Sequence, residues 1–312
     1  MTYEYALQRV KGIKKSFDNA MSAKIMEYKD NRIVDIYPTT EVFEIYTSTE
    51  SMTGVTQLTD LETPPTLELN DGYSVQIEEK RFGGAIELSE TEYRREEGDM
   101  TTKVGVALKR KRNALMVAAT DYFLREMFKF LNYAFATTYY AAPDGAALLG
   151  THTWKTSGAD TFANNGTAAL SATAVDTVVE YGADFKDAAG VPMPLDFDTI
   201  IVKKGSANAR EAKRLFASGI TPTAVADINI YEGGDYTIVE TPYITTANKL
   251  YWFMYASKNP MGNPLKIGIG EMPTLREPIK QNNEAIRTNC TFYFKQGIVN
   301  MPYAIYGSTG AA

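Results

Sequence analysis

Residues 101–139 read TTKVGVALKRKRNALMVAATDYFLREMFKFLNYAFATTY and carry the strongest helix signal in the chain. The stretch has no proline, and its only interior glycine is Gly105. Apolar residues recur at the i, i+3, i+4, i+7 spacing of one helix face, at Leu115, Ala118, Ala119 and Tyr122. A continuous helix of roughly 35–40 residues is about 55 Å long, which is more than a compact domain needs. We therefore predict a spine helix.

The first third of this stretch is basic, whereas residues 33–79 contain ten acids and no Lys or Arg. Within the acidic region, residues 42–46 and 73–77 have strand composition, and a Thr-rich segment with two prolines separates them. This pattern predicts a long two-stranded excursion. Because an isolated hairpin is marginally stable in water, we expect it to lie on another surface, most simply a second subunit.

The remaining chain alternates between helix and strand signals. Residues 1–32 hold seven Lys or Arg and four acids, a net charge of +3, and are interpreted as a helical arm that needs a partner surface. Ser89 and Glu92 form a capping-box pattern that predicts a short helix to about residue 97. Further predictions are helices over 171–189 and 207–217, a strand over 199–202, a hairpin around 233–235, and mainly strands after residue 249.

Few residues can support catalysis or metal binding. His152 is the only histidine and lies in a small-residue loop without a nucleophile motif, so a structural or surface role is expected. Cys290 is the only cysteine and is expected to be a buried small hydrophobe. One residue of each type cannot form a zinc site within one chain. We expect no catalytic, cofactor or metal site, although composition leaves a carboxylate pair open.

The overall charge is −6 with a pI near 5.1, which argues against a whole-surface attraction to nucleic acid. The basic run 109–112 covers a full helical turn, so it does not form one base-reading face. The first 30 residues lack the long apolar run of a signal peptide. Because no stretch is apolar enough to span a bilayer, we expect a protein made in the cytoplasm that contacts no membrane.

The order of these elements, together with several short motifs, resembles the major capsid proteins of tailed phages, which have the Hong Kong 97 fold. More narrowly, it is similar to the Mu-like major head subunit group. The matching motifs are GGAIELS at 83–89, DGAALLGTH at 144–152, IIVKKG at 200–205 followed by Ala209 and Ala212, Tyr251-Trp252, and Arg287, Phe292, Gly297 and Pro302. One departure is Thr153 after the histidine, where the group suggests proline.

The resemblance implies an α+β fold with four parts. These are an N-arm at 1–35, an E-loop hairpin at 48–80, a discontinuous P-domain with the long spine helix at 36–47, 81–170 and 271–312, and an A-domain at 171–270.

The resemblance also implies a function without enzymatic activity. The chain would self-assemble into hexamers and pentamers that form an icosahedral shell around packaged double-stranded DNA, which it contacts non-specifically. Expected partners are further copies of itself, scaffolding and portal proteins, and decoration proteins. The expected location is the virion, after assembly in the host bacterial cytoplasm. An encapsulin-like nanocompartment shell, a tail or adaptor protein and a cytoplasmic enzyme with an unrecognised carboxylate site remain alternatives.

The charge pattern predicts how neighbouring subunits attach. The acidic hairpin of one subunit is expected to lie over the basic start of the next subunit's spine helix, with leucines providing most of the buried area. The interface candidates on the hairpin are Leu58, Asp60, Leu61, Glu62, Leu67, Glu68 and Leu69. Those on the helix are Lys103, Lys109, Arg110, Lys111 and Arg112.

Overall fold

The structure is a computed structural model of the 312-residue chain. It describes residues 33–53, 57–60, 63–66, 68–89, 104–156, 160–216, 231, 236–259 and 262–310. The predicted arm at 1–32 and the short helix predicted after Ser89 lie outside these residues.

The first of two five-stranded sheets is built around the long strand β13 (Ile286–Ile298). One edge of β13 pairs antiparallel with β4 (Lys80–Leu88), and the other pairs antiparallel with β11 (Leu265–Leu275) and β12 (Ile279–Lys280). Strand β1 (Asp35–Pro38) then pairs parallel with β11. Most residues of β13 are buried. Since side chains of a strand point to both faces of its sheet, both faces must be covered along much of β13.

Helix α1 (Val104–Met127) packs against this sheet through aromatic side chains. The Phe82 ring on β4 stacks on Phe294 of β13 at 4.3 Å between centroids and meets Tyr122 at 5.3 Å. Phe123 approaches Phe294 edge-on at 5.4 Å. Of the face that the apolar spacing predicts, only Ala119 is buried, whereas Leu115 is half-buried and Ala118 and Tyr122 are exposed. The side that packs on the sheet instead follows Ala119 with Phe123, Leu124 and Met127.

The prediction that the spine helix continues to Tyr139 is wrong, because α1 ends at Met127. The described helix has 24 residues and is therefore about 36 Å long. Phe128 leaves helical geometry, and only the single turn α2 (Lys129–Asn132) follows. Met127, Phe130, Leu131 and Ala134 keep the i, i+3, i+4, i+7 spacing of one helix face, and all four are buried, as is Phe128. The apolar pattern of the sequence therefore continues past the residue at which α1 ends.

The second five-stranded sheet has the order β7–β14–β10–β8–β9. Its strands are β7 (Asn165–Gly166), β8 (Thr199–Lys203), β9 (Thr237–Thr241), β10 (Trp252–Tyr255) and β14 (Ile305–Ser308). Helices α3 (Ala172–Ala183) and α4 (Ala207–Phe216) belong to the same region. Strands β8 and β9 are parallel, and α4 lies between them in the sequence. This is the connection that parallel neighbours require.

Local signals predicted the starts of these helices better than their ends. The Ser171 hydroxyl caps α3 by accepting from the amide of Ala174, as expected. However, α3 ends at Ala183 instead of residue 189, because the carboxylate of Asp187 organises a tight turn that ends at Gly190. Helix α4 and strand β8 match their predictions within one residue. The hairpin predicted around 233–235 falls largely outside the described residues, and β9 pairs with β8.

The predicted boundary between the A-domain and the last part of the P-domain, between residues 270 and 271, does not coincide with a break between the two sheets. Strand β11 runs through that position without interruption. The terminal strand β14 leaves the first sheet region and pairs with β10 in the second. The chain thus passes from the second sheet at β10 to the first sheet at β11 and returns to the second at β14. The four-part division of the chain stays a prediction.

Two smaller antiparallel pairs lie outside the two five-stranded sheets. Strands β2 (Phe43–Thr53) and β3 (Glu68–Glu78) form the predicted two-stranded excursion, called the hairpin below. Strands β5 (Thr151–Thr153) and β6 (Thr161–Ala163) form a short pair. Among the described helices, none has both the length and the apolar character to cross a membrane.

Candidate subunit interface

The base of the hairpin has two chemically different faces. Side chains alternate along β2, so Glu44 and Tyr46 lie on one face while Phe43 and Ile45 lie on the other. Phe43 is 56% exposed and Ile45 is 62% exposed, and the preceding Val42 is 65% exposed. The face bearing Glu44 packs on the chain's own body, whereas the other presents large apolar side chains to solvent.

A buried lysine fastens the base of the hairpin to the first sheet. The Lys295 ammonium on β13 lies 2.7 Å from the Glu44 carboxylate and donates to the carbonyl oxygen of Glu41 at 2.7 Å. The Tyr37 hydroxyl donates to the same carboxylate at 2.6 Å, and the Tyr46 hydroxyl also donates to it. The Lys295 side chain is fully buried, so its charge is balanced by Glu44 and by these polar groups.

This network shifts the proton affinities of its members. Burial alone would raise the pKa of Glu44, but hydrogen bonds from Lys295 and from the hydroxyls of Thr39, Tyr37 and Tyr46 outweigh it and lower the pKa to about 2. Burial, together with the neighbouring carboxylate, raises the pKa of Tyr46 to about 12 and raises that of Tyr37 further. At neutral pH the site is therefore an ionised carboxylate facing an ammonium and two protonated phenols.

A second anchor lies farther along the hairpin, at Glu50. Its buried carboxylate accepts hydrogen bonds from the backbone amides of Lys155 at 2.6 Å and Thr156 at 2.8 Å, and from the Thr156 hydroxyl at 2.8 Å. The Lys155 ammonium reaches back to the carbonyl oxygen of Gly72 on β3 at 3.0 Å. A side chain at Gly72 would meet Ser48 and Glu50, so glycine permits this close approach.

These anchors revise the interpretation of the acidic region. Glu44 and Glu50 bind groups of their own chain, and Asp35 lies 3.9 Å from the Lys266 ammonium. Part of the charge segregation in residues 33–79 therefore serves folding within one subunit. Asp60 remains exposed and Leu58 is 40% exposed, as an interface role requires.

The other interface candidates are only partly placed. Arg110 is exposed on α1, and the Lys111 ammonium donates to the carbonyl oxygen of Glu87 at 2.8 Å, which fastens the helix to β4. Glu68 and Leu69 lie on β3, and Lys109 and Arg112 lie on α1. Leu61, Glu62, Leu67 and Lys103 lie outside the described residues. Because the predicted contact joins two subunits, it stays a prediction.

A groove of about 420 Å³ runs between β4 and the second half of α1. Its lining is largely apolar and includes Phe82, Leu115, Ala118, Tyr122 and Phe292. Arg81 adds one cation at its edge. The groove therefore offers an apolar surface on the same helix as the basic run 109–112.

The sole histidine lies in the interior instead of in an open site. His152 is fully buried, and its Nδ1 lies 3.0 Å from the Asp144 carboxylate. Burial would raise the pKa of Asp144, but the contacts with His152 and with two backbone amides lower it. The imidazole ring also stacks on Phe162 at 5.1 Å. These contacts hold the loop at residue 144 against β5 and fit the structural role expected for His152.

Other reactive groups in the described parts of the chain show no metal-like arrangement. Cys290 is buried in β13, as expected. No group of three or more His, Cys, Asp or Glu among the described residues is placed to hold a metal ion.

Sequence reasoning missed both hairpin anchors. One signal was available: Lys295 interrupts an apolar run in β13, and a lysine in such a run needs a partner if it is buried. Nothing in the local pattern marks Glu50, because its partners are backbone amides 105 and 106 positions away.

Comparison with known proteins identifies the fold. No family model and no curated protein matches the sequence. A solved chain from Microbacterium phage Oxtober96 matches with a TM-score of 0.50 at 9% identity, over 88% of each chain. The capsid of Myoviridae Phage XM1 matches with a TM-score of 0.46 at 12% identity, over 91% of each chain. The virus-like particle from Pyrococcus furiosus matches with a TM-score of 0.46 at 12% identity, over 94% of this chain and 98% of that one.

The first match shows a shared fold at very low sequence identity. The described structure is a mixed α+β protein whose architecture extends over most of a chain from a phage. The mixed α+β class expected from the sequence is thus confirmed. The Mu-like subgroup stays a prediction.

Proposed function

We propose that this chain is a capsid shell protein, the major head subunit of a tailed phage. In this proposal, copies assemble into hexamers and pentamers that close into an icosahedral shell around double-stranded DNA. The fold shared with a phage chain supports the proposal, as does the sequence resemblance. The observation that carries it is the exposed apolar face at the base of the hairpin.

Large apolar side chains on the outer face of a two-stranded ribbon are costly to leave in water. Phe43 and Ile45 share that face and are both more than half exposed in the single chain, and the preceding Val42 is exposed as well. Contiguous exposed apolar patches commonly mark protein–protein contact sites. A partner that covers this face would bury it, and in a self-assembling shell each subunit supplies that partner to its neighbour.

The attachment between neighbours combines this face with the charged candidates. The hairpin of one subunit would lie over the basic start of α1 in the next, so that Asp60 meets cations such as Arg110. Leu58 would enter the adjacent apolar groove between α1 and β4. Exposed ion pairs contribute only about 0–1 kcal/mol each, so each contact is weak and reversible. Many weak contacts repeated around a closed shell allow misplaced subunits to leave before closure.

Further partners follow from the same proposal. Scaffolding, portal and decoration proteins would bind the assembling shell, and packaged DNA would contact its inner surface through non-specific electrostatic attraction. The particle would form in the bacterial cytoplasm and the protein would end in the virion. No catalytic step is required of the subunit.

Sedimentation velocity of the purified full chain, with analysis of particle contents, tests the function. Fast-sedimenting particles are expected, and particles from infected or prophage-carrying cells should contain DNA. Protein cargo without DNA would instead favour a nanocompartment shell, and small rings would favour a tail or adaptor protein. A persistent 34.5 kDa monomer would contradict the proposal and favour an enzyme or another monomeric function.

A further inference from the structure

A cleft of about 440 Å³ lies between the β5–β6 pair and the C-terminal half of α3. Its walls are aromatic and come from Trp154, Phe162, Tyr181 and Phe185. The rings of Phe162 and Phe185 meet edge-on at 5.4 Å, and Trp154 lies 5.3 Å from Phe162. These mutual contacts give the cleft a firm aromatic lining.

Carboxylates surround this aromatic lining. Asp160, Glu180 and Asp184 all line the cleft and are exposed, and none of them forms an ion pair within the described chain. Lys186 is the one cation among the lining residues of this cleft. The electrostatic potential at the cleft is therefore negative.

The end of helix α3 adds to that negative potential. The last turn of α3 carries no basic residue, and its C-cap is Asp184. The carbonyl end of a helix has a partial negative charge that cations normally offset, but here acidic residues occupy it. Of the lining rings, Trp154, Phe162 and Phe185 are buried and Tyr181 is half-buried. The helix end and the carboxylates thus favour the same kind of ligand, a cationic side chain.

We propose that this cleft binds lysine side chains from residues 1–32 of the chain. That segment has a net charge of +3 and includes the cluster Lys11, Lys14 and Lys15. Its 32 residues could extend at most about 105–115 Å, so a segment from the same chain or from a neighbouring copy could reach the cleft. The inference does not depend on the proposed shell function.

Other occupants fit the cleft less well. A metal ion lacks a suitable group of three His, Cys, Asp or Glu among the described residues. Nucleic acid and the acidic hairpin would both be repelled by the carboxylates. A basic peptide segment instead matches the charge of the rim and the aromatic character of the walls.

Carbodiimide coupling of the purified full chain tests the proposal directly, because it joins a lysine amine to a carboxylate only where the two are in contact. Mass spectrometry should find amide links from lysines of residues 1–32 to Asp160, Glu180 or Asp184. Mixing isotopically labelled and unlabelled chains distinguishes links within a chain from links between copies. Coupling of these lysines only to carboxylates elsewhere would overturn the proposal.

A second measurement uses charge-matched variants. In the cleft variant, Asp160→Asn, Glu180→Gln and Asp184→Asn remove three negative charges from the rim. The control variant carries Asp71→Asn, Glu78→Gln and Glu87→Gln, which are exposed acids outside the cleft. We expect trypsin to cleave within residues 1–32 about five-fold faster in the cleft variant than in wild type, and at the wild-type rate in the control. Equal rates in all three proteins would contradict the proposal.

Discussion

The Glu50 carboxylate lies 2.6 Å from the backbone amide of Lys155, 105 positions along the chain. It also accepts from the amide of Thr156, so one side chain satisfies two consecutive backbone donors. The hairpin is therefore fastened to the segment after β5 as well as at its base. Its direction relative to the rest of the subunit is set by the chain itself before any neighbour binds.

Removing the Glu50 carboxylate should destabilise the subunit. In Glu50→Ala, the amides of Lys155 and Thr156 lose their acceptor, and an unsatisfied buried group costs about 1–3 kcal/mol. We expect a lower free energy of unfolding in urea. The matched control is Glu78→Ala, an exposed hairpin acid, which should change the free energy by less than about 0.5 kcal/mol. Equal losses in the two variants would contradict the anchoring role of Glu50.

The Lys295–Glu44 pair should make stability depend on acid pH. The folded pKa of Glu44 is about 2, below the ordinary value near 4.3 for an unfolded glutamate. A depressed folded pKa means that the stabilisation is fully present above about pH 4.3 and is lost as the pH falls towards 2. Lys295→Met removes a partner that lowers this pKa, so the variant should be less stable at pH 7.

The pH profile of that variant provides the sharper measurement. Urea unfolding between pH 6 and pH 2 should show a smaller stability change in Lys295→Met than in wild type. Lys280→Met is the control, because the Lys280 ammonium lies 2.6 Å from the exposed carboxylate of Glu284 and such an exposed pair should contribute at most about 1 kcal/mol. An unchanged profile in Lys295→Met would show that Glu44 is not stabilised by this lysine.

Two adjacent glycines on β4 should differ in their tolerance of alanine. A Cβ at Gly83 would lie 2.6 Å from the backbone oxygen of Cys290, whereas one at Gly84 would lie 3.0 Å from the terminal Cδ1 of Leu115. A backbone oxygen in a paired strand cannot move easily, but the end of a leucine side chain can. We expect Gly83→Ala to lower stability by about 1–3 kcal/mol and Gly84→Ala by less, measured by thermal unfolding. The reverse order would contradict the strand pairing described here.

Replacing the exposed apolar residues of the hairpin should affect assembly more than folding. Phe43→Ser with Ile45→Ser removes the outward face, and each residue is more than half exposed. We expect subunits with near-normal unfolding that fail to form particles in sedimentation velocity. Val191→Ser with Ile279→Ser, two exposed apolar residues elsewhere, should still assemble. Normal particles from the hairpin variant would remove the main support for the proposed function.

Charge reversal at residues 109–112 tests the electrostatic part of the attachment. With all four cations changed to Glu, particle yield should fall and its dependence on salt should change, because the cations are proposed to face the acidic hairpin of a neighbour. A charge-matched control reverses the exposed Lys204, Arg210, Lys249 and Lys258. Unchanged yield and salt dependence in the 109–112 variant would contradict this contact.

Sequence alone predicted the elements that depend on neighbouring residues. The Ser171 cap, the bounds of α4 and the two strands of the hairpin all arise from patterns within a few positions, so they are visible locally. The buried state of Cys290 was also predictable from residue type.

Features that depend on tertiary packing could not be predicted in the same way. Helix α1 ends at Met127, where Phe128 leaves helical geometry, although the apolar helical pattern of the sequence continues. In the sequence, Glu44 and Glu50 cannot be distinguished from exposed acids such as Asp60, because all of them lie in the same acidic region. Their partners lie on distant parts of the chain, and only the fold brings them together.

Electron microscopy of the purified full chain tests the central claim, that this protein builds a shell, most directly. Negatively stained samples should contain closed particles of uniform size, or hexameric and pentameric capsomers under conditions that weaken contacts. Fields that contain only single subunits over a range of protein and salt concentrations would contradict the account.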